Sequence, residues 1–185
     1  MFPNPQKEIS SLHIALEARY TALLSFLKQQ ISDDFAAEKV PNKWSIGQHA
    51  DHLIRSTKPL NKALRMPKFV LKSTFGIKNE RPERSYPEVV EKYKSRLAAG
   101  GQASGAYIPK RIQKDQKAML LKGLEKELGQ LQAVIKKWDE EQMSTYLLPH
   151  PLLGKMTIRE ILFFTIYHTE HHLKAIQELS QTNPN

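Results

Sequence analysis

Apolar residues return every three or four positions over four long stretches of the chain, the spacing that lines one face of an α-helix. In the first stretch Ile9, Leu12, Leu16, Tyr20, Leu23, Leu27 and Ile31 predict a helix over 9–31, closed by the polar run Ser32-Asp33-Asp34. The second is expected to open at Ser45, which with Gln48 has the spacing of a capping box, and to run through Leu53, Ile54 and Leu60 to about Leu64. Pro59 has no amide hydrogen and should kink or shorten it. The third covers 113–141, where Leu121, Leu124, Leu128, Leu131, Ile135 and Trp138 alternate spacings of three and four, the seam of a bundle helix. The fourth starts at Thr157, which forms a second capping box with Glu160, while Met156 and Ile161 have the spacing of a hydrophobic staple. Residues 181–185 are expected to fray.

Between the second and third stretches the periodicity breaks down. Pro67, Gly76, Pro82, Pro87, Gly100, Gly101, Gly105 and Pro109 interrupt residues 66–112, with one short amphipathic helix expected over 88–97. Connections between core helices usually run to a few residues, and much longer ones often serve as lids or binding loops. No segment shows a convincing strand period, and there is no solenoid repeat. The expected fold is all-α: a four-helix bundle with a long, partly helical connection between helices two and three, in a single domain over 1–185.

Composition narrows the chemistry. The chain has no cysteine, so disulfides, thiolate ligands and a cysteine nucleophile are excluded, and a metal would be bound by histidine, carboxylate or water. The first residues lack the charged-then-apolar order of a secretion signal, and no apolar run approaches the ~20 residues that span a bilayer, so a soluble, cytoplasmic protein without a membrane partner is expected. The net charge is +9, and much of it is local. Lys58, Lys62, Arg65, Lys68, Lys72, Lys78, Arg81 and Arg84 face only Glu80 and Glu83 within 58–84. Such a stretch can attract anions, but it carries no nucleic-acid motif and has only Phe69, Phe75 and Tyr86 nearby for base stacking. A small-molecule substrate is the expected partner, and nucleic acid is not.

Three of the seven histidines lie in Tyr167-His168-Thr169-Glu170-His171-His172, near the end of the fourth stretch. At about 100° per residue, His168 and His172 share one face a turn apart, in line with Ile158, Ile161, Thr165 and Leu179, so both rings point inward. His171 turns toward the flank. Two imidazoles so placed can converge on one ion from a rigid backbone, and a third ligand would come from His13, His49, His52 or His150. In an up-and-down bundle helices two and four run the same way, which puts His52 ~10 Å and His168 ~16 Å from their helix starts, within about a turn of each other. His49 is three residues nearer the end. Helical phase is compatible with either one inside, so geometry leaves His49 and His52 both open.

Trp44-Ser45-x-x-Gln48-x-x-x-His52-Leu53 resembles the helix-two signature of the DinB-like superfamily of metal-dependent enzymes. His150-Pro151-Leu152-Leu153-Gly154-Lys155-Met156-Thr157, followed by Tyr167-His168-x-x-x-His172-Leu173, is similar to its helix-four signature. The resemblance spans both ends of the core. It implies a four-helix bundle binding a divalent metal through His52, His168 and His172, with His49 and His171 off the ligand positions, and it implies a homodimer. The connection between helices two and three is longer here than is typical of that superfamily.

Three neutral imidazoles leave coordination positions open, and an open ion lowers the pKa of a bound water or thiol. Zinc, nickel, iron and manganese all suit such a site. Asp51, Glu170 and Tyr167 are candidates to accept the ligands' second N–H groups. Members of the superfamily with assigned chemistry resemble thiol-dependent transferases and isomerases, which implies a low-molecular-weight thiol as co-substrate and S-transfer to a small electrophile. The basic stretch would suit that thiol's carboxylates. A metal-dependent hydrolase and a non-catalytic, metal-stabilised binding module are the alternatives.

Overall fold

The computed structural model describes residues 2–182; Asn183, Pro184 and Asn185 of the tail expected to fray lie outside the described residues. Helix α1 (Ile9–Gln29) stops two residues short of its predicted end. Gln30 is extended, and a separate turn, α2 (Ser32–Ala36), carries Asp33 and Asp34 where its positive N-terminal end favours them. Helix α3 (Ile46–Leu64) starts where predicted: Ser45 Oγ accepts from the Gln48 amide at 3.2 Å and the Gln48 side chain accepts from the Ser45 amide at 2.9 Å. Pro59 does not end α3, because Leu60 and Leu64 beyond it are anchored in the core.

The long connection is more ordered than its prolines and glycines suggest. It holds α4 (Lys68–Phe75), which periodicity did not predict, and α5 (Tyr86–Ala98), which opens two residues early because Ser85 and Glu88 form a further capping box. Two single 3₁₀ turns, Gly105–Tyr107 and Lys114–Gln116, lead into α6 (Lys117–Ile135). The third helix does not continue to 141. Trp138 turns into the core and donates its Nε1–H to the Leu64 carbonyl at 3.2 Å, and Asp139 caps a new helix, α7 (Glu140–Thr145).

A short antiparallel hairpin follows, β1 (Leu147–His150) against β2 (Gly154–Thr157), with Leu147 opposite Thr157 and His150 opposite Gly154. Gly154 has φ 75°, the left-handed conformation a residue with a side chain resists. No strand was expected here, since Pro149 interrupts a segment too short for a period of two to register. The hairpin delivers Thr157 to the start of α8 (Ile158–Gln181), where the predicted capping box with Glu160 is present.

Four long helices form the body: α3 packs on α6 and α8, α1 packs on α6 and α8, and α5 covers another side of α8. Met156 to Ile166 are buried without interruption, as expected of an element enclosed on all sides. Glu160, fully buried at its start, accepts from Arg81 Nη1 and Nη2 (both 2.8 Å), from Arg84 Nε and Nη2 (3.0 and 2.9 Å) and from the Arg84 amide at 2.8 Å. Arg159 beside it pairs with Glu83 at 2.7 Å and Glu140 at 2.6 Å. Two residues of the basic stretch, Arg81 and Arg84, are therefore a clasp that fastens the connection to α8. Among the described residues no helix is long and apolar enough to cross a membrane.

Candidate metal centre

Helix α8 presents His168 and His172 one turn apart toward α3, which presents His52. All three are buried, at 4, 5 and 6 % exposure respectively. Their ligand atoms gather within 4.8 Å of one another, with His168 Nε2 lying 3.1 Å from His52 Nε2 and 3.0 Å from His172 Nε2. Burial pushes the imidazoles of His168 and His172 well below their usual range, reinforced by the neighbouring histidines, and it lowers His52 against the opposing pull of the Tyr107 carbonyl. At neutral pH the three rings are uncharged and their nitrogens are free to donate lone pairs.

Hydrogen bonding aims the lone pair of His52 into the cluster. His52 Nδ1 sits 2.7 Å from the Tyr107 carbonyl, an acceptor only, so the His52 proton is on Nδ1 and its Nε2 carries a lone pair. One proton at His168 Nε2 cannot lie along both of its short contacts, and without a proton there it faces the His52 lone pair. Lone pairs at such separations repel, and a cation among them removes the repulsion. Two donors each about 2.0–2.1 Å from one ion stand about 3 Å apart when they subtend a right angle, so the spacing present fits a divalent metal.

The ligands' own supports are not the carboxylates considered from sequence. Asp51 is engaged by Arg55 Nε at 2.6 Å and the Lys110 amide at 3.2 Å, Glu170 is engaged by Arg19 Nε at 3.2 Å, and Tyr167 forms no bond to a ligand ring. The partners are instead the Tyr107 carbonyl for His52 and His49 for His172, Nδ1 to Nδ1 at 2.8 Å. For His172 Nε2 to face the ion, its Nδ1–H must donate to His49 Nδ1. Burial, with His52 and His171 adding to it, holds His49 down to about 4, so it stays a neutral acceptor. Its three-residue offset from His52 was the available sign: both lie on one face of α3, and both are used. His49→Ala should keep about one equivalent of metal but bind it 10–100-fold more weakly, the usual cost of losing such a partner, as competition with a chelator would read.

Aromatic rings enclose the site. Trp44 lies 4.9 Å from the His52 ring and stacks on His172 at 6.2 Å, and Phe164 stacks on His168 at 4.8 Å. Of the other candidate ligands, His13 lies apart from the cluster, its Nε2 buried without a partner among the described residues, and His150 belongs to a neighbouring cavity.

That cavity, about 240 Å³, reaches the centre through His52 and His168. Its walls come from α3, α5, α8, the hairpin and the 102–107 loop, with Leu60, Tyr93, Leu148, Leu152 and Phe164 giving it an apolar character. Among the described residues no aspartate, glutamate, lysine or arginine lines it, so none of the basic residues of 58–84 reaches its interior.

The fold is similar to that of YfiT from Bacillus subtilis, described as a probable metal-dependent hydrolase with an unusual four-helix bundle topology. The TM-score is 0.60 at 20% sequence identity, covering 98% of this chain and 90% of that one. No protein of curated function matches the sequence. The profile of the DinB superfamily matches residues 15–176, a span that includes α3, α8 and all three converging histidines. This chain belongs to the DinB superfamily.

Proposed function

We propose that the protein is a metal-dependent transferase that activates a small-molecule thiol beside His52, His168 and His172 and joins its sulfur to an electrophile held in the adjoining cavity. The observation that carries this reading is a buried three-histidine centre opening onto a cavity without a single charged side chain. A divalent ion in the centre would supply an open coordination position that lowers the pKa of a thiol. A thiol, with its ordinary pKa of about 8.5, then needs no side-chain base. Hydrolysis of an amide or ester gains from a base and an acid placed at the reacting bond; the walls offer neither a carboxylate nor an ammonium among the described residues, and the basic nitrogen of their remaining histidine, His150 Nδ1, is taken up by the Leu152 and Leu153 amides. With no cysteine in the chain, the thiol comes from outside.

In the transfer an S–C bond forms as the electrophile's bond to its leaving atom breaks, and the proton released by the thiol passes to that atom. The chain's residues prepare this. Tyr107 and His49 fix the tautomers of two ligands, Phe164 and Trp44 fix ring planes, and the apolar walls exclude water. Hydrolysis is the second reading, favoured by the description of YfiT.

Protein loaded in turn with zinc, nickel, iron(II) or manganese would be assayed with 1-chloro-2,4-dinitrobenzene and a set of low-molecular-weight thiols. The expected result is turnover that needs both metal and thiol and disappears in His168→Ala. Metal-dependent cleavage of p-nitrophenyl acetate without thiol would instead establish the hydrolase. Metal binding with neither activity would leave a metal-stabilised binding module.

A further inference from the structure

His150 lies in the cavity wall and is not a ligand. Its Nδ1 accepts the backbone N–H groups of Leu152 and Leu153, both at 3.2 Å, across the tip of the β1–β2 hairpin. A backbone amide nitrogen only donates, so Nδ1 must carry a lone pair, and the single proton of the neutral ring must sit on Nε2. Protonating Nδ1 as well would break both bonds, and burial reinforces the neutral form by pushing the imidazole down to about 4. The hairpin therefore fixes one tautomer. The Nε2–H forms no hydrogen bond among the described residues.

The ring is also fixed in place. It stands edge-on to Phe164 with centroids 4.2 Å apart, and Phe164 in turn stacks on His168. The Phe164 ring thus contacts both the His150 ring and that of His168. The hydroxyls that α1, α3 and α8 bring to the cavity are spent elsewhere, while that of Tyr93 on α5 forms no hydrogen bond among the described residues. Ser56 donates to the His52 carbonyl, Thr57 to that of Leu53 and Thr165 to that of Ile161, while Tyr20 pairs with Thr57 Oγ1. With no charged wall residue, an ionic ligand would lose its hydration and find no counter-charge. The volume of about 240 Å³ lies below the range of roughly 300–1,000 Å³ typical of drug-sized ligands.

We propose that this cavity takes a small, neutral, largely apolar molecule bearing a carbonyl oxygen, and that the Nε2–H of His150 binds that oxygen and orients the molecule toward the centre. This deepens the electrophile's identity and, for its catalytic meaning, rests on the reading above; the binding itself does not.

The test uses two probes of one shape, acetophenone and α-methylstyrene, in which a methylene replaces the carbonyl oxygen. Asparagine at 150 offers Oδ1 near the place of Nδ1, so His150→Asn keeps an acceptor for the hairpin amides and loses the far N–H. On zinc-loaded protein, acetophenone should bind about 3–10-fold more tightly than α-methylstyrene, as expected for one neutral hydrogen bond. In His150→Asn that preference should vanish while metal content stays unchanged, with α-methylstyrene in the same protein as the reference for any general loss of packing. Nitrogen-15 spectra should show His150 Nε2 protonated and its proton shifting when acetophenone is added. Equal affinities in the wild type, a preference that survives in His150→Asn, a protonated Nδ1, or no binding of either probe would each overturn the proposal. A carbonyl preference without thiol-dependent turnover would leave it standing and remove only the transferase reading.

Discussion

Protein purified without an affinity tag and reconstituted with a divalent metal is expected to hold about one equivalent, and His52→Ala, His168→Ala and His172→Ala are each expected to hold none above background. The size of the effect follows from the geometry. His168 Nε2 is the hub of both short contacts, and His52 and His172 stand on either side of it, so any single loss leaves two donors in a pocket with no substitute. His49 cannot replace His52, because its Nδ1 is turned to His172 and its work is to hold that ring. Elemental analysis of the wild type, these three variants and His49→Ala side by side checks this. Metal retained in His52→Ala and lost in His49→Ala would exchange the roles assigned on α3. A wild type that binds no metal would remove the centre altogether.

Glu160→Gln is expected to be the most damaging change away from the centre. The carboxylate is fully buried and binds two guanidiniums, and its loss leaves Arg81 and Arg84 facing a neutral amide. Removing one partner of a buried pair costs about 3–5 kcal/mol, and the partial exposure of both arginines places this one near the low end, about 3 kcal/mol. At roughly 2–4 °C per kcal/mol for a domain of this size, the thermal midpoint should fall by about 6–12 °C.

The effect also carries a pH signature. Burial alone would raise the Glu160 carboxyl, but hydrogen bonds from Arg81, Arg84 and two backbone amides outweigh it and hold the group well below the carboxylate range. A carboxylate with a depressed folded pKa contributes stability that is present above its unfolded value, about 4.3, and is lost as the pH falls through the folded value. The gap between wild type and Glu160→Gln should therefore be widest near neutrality and close progressively below about pH 4. Urea titrations across pH 3–7 would show it. A gap that does not change with pH would mean that packing, not charge, is what the substitution disturbs.

What could be read from the sequence was set by how local the interactions are. The capping boxes at Ser45 and Thr157 need only residues three apart, and both formed as expected. The His168–His172 pair is likewise a property of one helix. The choice between His49 and His52 stayed open on phase because both rings reach the histidine cluster, His52 through His168 and His49 through His172, and only the family resemblance selected His52. The partner of His52 was out of reach: Tyr107 meets it across 55 positions, and a backbone carbonyl leaves no trace in residue type. Glu160 meets Arg81 and Arg84 across 79 and 76 positions, so those arginines looked like a free basic patch when they are half of a buried clasp. The break after Ile135 has the same origin, since Trp138 fits the helical seam but is drawn off it by the Leu64 carbonyl.

The acceptor that orients His52 belongs to the main chain of the same loop whose side chains, among them Gln102, Ser104 and Tyr107, face the cavity. Side-chain replacement there can reshape what the cavity admits while the carbonyl that steers the ligand ring stays in place. Substitution can then change what the cavity admits without turning the His52 ring, provided the loop keeps its path. An insertion or deletion that shifts Tyr107 would alter both together. In this chain the lining of the cavity and the orientation of His52 are thus separable by side-chain substitution and coupled through the length of one loop.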